Sequence, residues 1–74
     1  MSLESSEFSL KTPYIELYKL LKVEGIASTG GEAKAMIASG AVKVNDQVEQ
    51  RKRNKLLPGD IVAVEDSIIT IVKK

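Results

Sequence analysis

The sequence predicts an α+β domain in which two helices pack on a small, mainly antiparallel sheet. Three observations carry this. Residues 12–40 hold two apolar stripes of helical spacing, each ended by a glycine. Residues 41–72 hold short β-branched runs separated by turn residues. Helices followed by consecutive strands build an α+β fold rather than a parallel α/β one. At 74 residues the chain is a single domain with an expected radius of gyration of roughly 11 Å.

Each element has its own signal. Residues 1–6 are polar and are expected to be a disordered or added start, with one domain over residues 7–74. Glu7-Phe8-Ser9-Leu10-Lys11 alternates polar and apolar residues, as a short edge strand does. Thr12 is placed to cap the first helix, and Pro13 suits a first helical position. Ile15, Leu17, Leu20, Leu21 and Val23 form its apolar face, and Gly25 stops it. Thr29-Gly30-Gly31-Glu32 reads as a capping box for a second helix. Ala33, Met36 and Ile37 are its buried stripe, and Gly40 ends it.

The strands follow. Ala41–Val44 and Gln47–Glu49 flank Asn45-Asp46, a pair suited to the positive φ angles of a tight hairpin. Val42, Val44 and Val48 are expected to face the helices, with Lys43 toward water. Leu57-Pro58-Gly59-Asp60 is a turn into Ile61–Val64. Glu65-Asp66-Ser67 then leads to the β-branched run Ile68–Val72.

Composition removes much chemistry. Apolar residues make up 43% and charged residues 28%, as in ordinary folded chains, and there is no Cys and no His. Zinc-finger ligation, thiol nucleophiles and a Ser-His-Asp relay are thereby excluded. The longest apolar run, Ile61–Val64, is far short of the roughly 20 residues a membrane helix needs. No basic-then-apolar leader opens the chain, so a cytoplasmic location is expected. No catalytic residue, metal site or cofactor is implied.

Charge is unevenly spread. The net value is +1, but residues 34–55 carry six cations against Asp46 and Glu49, for +4, between acidic flanks of −2 and −1. Arg51-Lys52-Arg53-Asn54-Lys55 places four of those cations in five residues, between two strands and beside Lys43. Such a run can serve only as solvated surface, but concentration is what phosphate binding rewards, through counterion release. Arginine adds planar forks that match phosphate oxygens. Thr29-Gly30-Gly31 at a helix start is either a plain cap or a place for a phosphate oxygen, with Lys34 supplying charge one turn in. Tyr14 and Tyr18, four residues apart, form a partly buried helix face or stack on bases.

The run Gly25–Asn45, with its Gly-x-Val-x-Val-Asn ending at Gly40–Asn45, resembles the S4-like RNA-binding domain, or alpha-L motif. The resemblance continues through Leu56–Val62 and covers roughly residues 12–64. Thr29–Lys34 and Arg51–Leu56 further resemble a small stand-alone bacterial subgroup. The family often has arginine where Gly30 stands, and Arg-Leu-Asp where this chain has Glu16-Leu17-Tyr18. Two customary cations are thus missing, and the expected weight falls on Lys34 and the loop cluster.

The resemblance implies non-catalytic binding of structured RNA, ribosomal or transfer; the small charged surface and short apolar runs lead to the expectation of a monomer without membrane or small-molecule partners. Contacts are expected at Thr29, Gly30, Gly31, Lys34, Lys43, Asn45, Arg51, Lys52, Arg53 and Lys55. Charge reversal at Arg51 and Arg53 is expected to abolish RNA retention without unfolding. The rival reading is an interaction module docking an acidic protein through the same loop. A nuclease is disfavoured, because nothing supplies a general base or a metal-holding acid cluster.

Overall fold

The computed structural model describes residues 4–74. Its elements are β1 (Glu4–Leu10), β2 (Ile15–Glu16), α1 (Leu17–Val23), α2 (Gly30–Ala38), β3 (Val42–Val44), β4 (Gln47–Val48), β5 (Lys55–Leu56), β6 (Ile61–Val64) and β7 (Ser67–Lys73). Five strands form one sheet in the order β1-β7-β6-β3-β4, and β2 pairs with β5 in a separate two-stranded ribbon. Every pairing is antiparallel except β1 with β7. The α+β expectation is met, and the radius of gyration is 11.1 Å.

One face of the sheet takes the helices. Val42 lies opposite Val64, and Val62 opposite Ile69, and all four are buried. Leu17, Leu20 and Leu21 from α1 and Ala33 and Ile37 from α2 join them in a single apolar core. Burying each larger side chain contributes about 1.5–3 kcal/mol. The described residues bury no polar or charged side chain.

Both helices end alike. Gly25 (φ 77°) donates to the Lys22 carbonyl and Ile26 to that of Leu21, while Gly40 (φ 86°) donates to Ile37 and Ala41 to Met36. Each is a Schellman cap, which needs a left-handed residue at the position each glycine fills.

Several expectations change. The N-terminal strand begins at Glu4, so Glu4–Ser6 are paired residues rather than a disordered start: they align with Ser67–Ile69 through backbone bonds that side-chain patterning does not reveal. Residues 1–3 of that expected start lie outside the described residues. The first helix starts at Leu17, not beside Pro13. The Thr12 hydroxyl donates to the Tyr14 carbonyl at 2.7 Å, and Ile15-Glu16 pairs with Leu56-Lys55 instead of coiling. Val23, at the helix end, is 62% exposed. Val48 is 54% exposed because it stands opposite Lys43, and alternation along β3 points Lys43 away from buried Val42. The Asn45-Asp46 turn is as expected, with φ values of 53° and 69°.

Candidate nucleic-acid interface

The basic loop is fixed by its backbone. Leu56 is wholly buried, and β5 is held by β2. The Leu17 N–H donates to the Asn54 carbonyl at 2.9 Å and the Tyr18 N–H to the Lys52 carbonyl at 3.1 Å. Glu16, in the N-cap position of α1, makes no side-chain cap, so loop carbonyls satisfy these first-turn donors. The Gln50 amide also donates to the Ala38 carbonyl, at the end of α2. A run that reads as a flexible charged loop is therefore docked on both helices.

This docking gathers cations around one ring. Lys34 Nζ lies 4.8 Å from the Tyr18 ring centroid, Lys19 Nζ 5.9 Å and Arg53 Cζ 6.0 Å. A Cβ on Gly30 would stand 3.9 Å from the same ring, so the start of α2 lies against it. Lys55 Nζ is 4.9 Å from the Tyr14 centroid. Gly30, Lys34 and Arg53 thus meet at the Tyr18 ring of α1, with Thr29 and Gly31 flanking Gly30 in the chain, while Lys55 on β5 lies at Tyr14. Thr29 accepts from the Glu32 N–H at 3.1 Å as expected of a cap, while the Glu32 carboxylate accepts from Ser28 rather than from Thr29. Gly30 and Gly31 keep first-turn N–H groups that have no intrahelical acceptor.

Other predicted positions stand differently. Arg51 is bound within the protein: its Nε donates to Glu49 Oε2 at 2.9 Å, and its Nη2 donates to Glu49 Oε1 at 3.1 Å and Asn54 Oδ1 at 3.2 Å. The Arg51 fork holds the Glu49 carboxyl below its usual range, through hydrogen bonds to the side chain and backbone, and Glu49 raises Arg51 in turn. Asn45 uses both ends of its amide on the next turn, donating to Asp60 Oδ1 at 3.1 Å and accepting from Ile61 N–H at 2.9 Å. Lys43 projects from the sheet face opposite the helices, between Val48 and Ala63. Lys52 is exposed.

Among the described residues the ion pairs are Lys19 with Glu16 and Arg51 with Glu49. Among those residues, exposed Lys52, Arg53 and Lys55 and half-buried Lys34 have no carboxylate partner. Arg51, Arg53, Asn54 and Lys55 line a shallow concavity.

Sequence reasoning overlooked three features. Tyr18 is the hub of the cluster, a role its helix spacing could not show because its partners come from elsewhere in the chain. Glu49 was readable as the partner of Arg51, since residues i and i+2 in extended chain share a side. Lys11, Lys73 and Lys74 line an open groove with Pro13 and Pro58, a grouping that only the β1–β7 pairing creates. The described residues contain no cluster of His, Cys, Asp or Glu able to hold a metal ion, and no helix is long and apolar enough to cross a membrane.

Two helices against an antiparallel sheet, with a Gly-x-Val-x-Val-Asn hairpin and a docked basic loop, define an alpha-L type of domain. The S4 domain family matches residues 8–72, and the chain belongs to that family. It is 46% identical over 66 residues to the Escherichia coli protein named "Putative RNA-binding protein YbcJ", covering 88% of this chain and 94% of that one. It is 34% identical over 61 residues to "Probable ribosome maturation protein RlbA" of Bacillus subtilis, covering 82% and 86%. The solution structure of the E. coli YbcJ protein, described as revealing an alfaL motif involved in RNA binding, superposes with a TM-score of 0.68. That match has 45% identity and covers 89% of this chain and 85% of the other.

Proposed function

We propose that this protein is a non-catalytic, cytoplasmic, monomeric RNA-binding protein that holds structured RNA by its phosphates. One observation carries the reading: Lys34 from α2 and Arg53 from the basic loop lie at the same Tyr18 ring, with Lys55 at Tyr14, and among the described residues none of the three has a carboxylate partner. Lys52 and the first-turn N–H groups of Gly30 and Gly31 extend the surface. Folded RNA suits such a surface, because its shallow groove is read through phosphates and 2′-hydroxyls rather than through base stacking. Ribosomal RNA is placed ahead of transfer RNA, since one relative is named for ribosome maturation. Arg51 and Asn45 are assigned supporting roles, ordering the loop and the hairpin, and Lys43 is assigned no contact.

The test is titration of a transcribed RNA hairpin into the protein at several salt concentrations, with polyglutamate as competitor. The expected log–log salt slope is about −2 to −3, as for three or so neutralised phosphates. Polyglutamate of equal charge should compete at least tenfold less well. Equal competition would favour an acidic protein as the partner instead.

A further inference from the structure

We infer that Tyr18 is a positioning residue of this interface, its ring holding Lys34 and Arg53 together so that one RNA phosphate is gripped between them. The inference rests on the RNA-binding reading and goes beyond it by assigning the grip to an uncharged side chain. Lys34 and Arg53 are 19 positions apart in sequence, and among the described residues no ion pair fixes either. Both are long, rotamer-rich side chains whose ordering opposes binding. Each instead lies within 6.0 Å of one ring centroid, in reach of the attraction between a cation and an aromatic face.

The position of the ring follows from the backbone. The Tyr18 N–H donates to Lys52, the residue before Arg53, which joins the start of α1 to the loop. A Cβ at Gly30 would meet the ring at an ordinary contact distance of 3.9 Å, so the first turn of α2 lies against the ring with Lys34 one turn further on. A carboxylate at position 18 would also gather the cations, but it would neutralise them, as Glu49 neutralises Arg51. An aromatic ring orders cations and leaves their charge for a ligand.

The experiment compares Tyr18→Phe, Tyr18→Leu and Tyr18→Asp with the wild type, using the RNA hairpin, thermal melting and proton NMR of the free protein. The Phe variant should bind within about twofold of wild type, and the Leu variant about tenfold more weakly at an unchanged salt slope, because ordering is lost while charge is kept. The Asp variant should bind more weakly still, with a shallower slope. In the wild type, the Lys34 side-chain protons next to the ammonium should be shifted upfield by the ring relative to those of Lys52, a readout that needs no mutant to fold. Leu binding equal to wild type, or Lys34 protons at the Lys52 position, overturns the inference while leaving the RNA reading intact. Wild-type protein that binds no RNA overturns both.

Discussion

Arg51 and Arg53 are two residues apart in the same loop, and the fold gives them opposite employment. Arg51 closes a two-point contact with Glu49 and reaches Asn54 through Nε and Nη2, leaving only its Nη1 group free at the surface. Arg53 lies over Tyr18 with no carboxylate partner among the described residues. Net charge counts both equally, but their partners within the fold differ. The difference lies in what orders each side chain: a carboxylate removes the charge it holds, and an aromatic ring leaves it available.

The strongest way to break this contrast is double charge reversal. Lys34→Glu with Arg53→Glu should weaken hairpin binding at least a hundredfold, read by fluorescence anisotropy, at an unchanged circular dichroism spectrum. Single truncations sharpen it. Arg53→Ala should cost about tenfold in affinity, or about 1.4 kcal/mol. Arg51→Ala should cost less than twofold, which narrows the sequence-based expectation that both arginines carry the binding. Glu49→Gln should act in the other direction, releasing Arg51, tightening binding a few-fold and steepening the salt slope by up to about one.

Titration probes the same pair more gently. The Glu49 carboxyl is held below its ordinary value of 4.5 by Arg51, so it stays ionised and paired above that pH. Its contribution to stability is present above the unfolded-state value and is lost as pH falls through the depressed folded one. Without histidine, RNA affinity should be flat between about pH 6 and 8 and change only in the acid range. The smallest effect belongs to the cap: Thr29→Ala should destabilise the domain by about 1 kcal/mol in urea unfolding.

Elements with local causes were legible in the sequence. Gly25 and Gly40 mark helix ends because only a residue tolerant of positive φ completes those caps. Asn45-Asp46 marks a hairpin for the same reason, and the inward faces of β6 and β7 follow from alternation. Elements set by distant partners were not legible. Thr12-Pro13 resembles a helix start, but the helix waits until Leu17 because Ile15 and Glu16 are taken by β5 and the next two N–H groups by the loop. Val48 reads as core and lies outside, since its face is fixed by register with Lys43.

The candidate site divides in the same way. Lys34 and Arg53 could be named as cations, but only the tertiary docking of the loop onto α1 brings them to one ring. Nothing local to Tyr18 signals that both cations reach its ring.

The central claim is that α2, the start of α1 and the basic loop form one RNA-contacting surface while the outer sheet face does not take part. Amide chemical-shift mapping with the RNA hairpin addresses it most directly. The expected result is perturbation at Tyr18, Gly30, Gly31, Lys34, Lys52, Arg53 and Lys55, with Lys43, Val48 and Ile61 unmoved. Perturbation centred on Lys43 and its neighbours, with the Tyr18 surroundings silent, would contradict it.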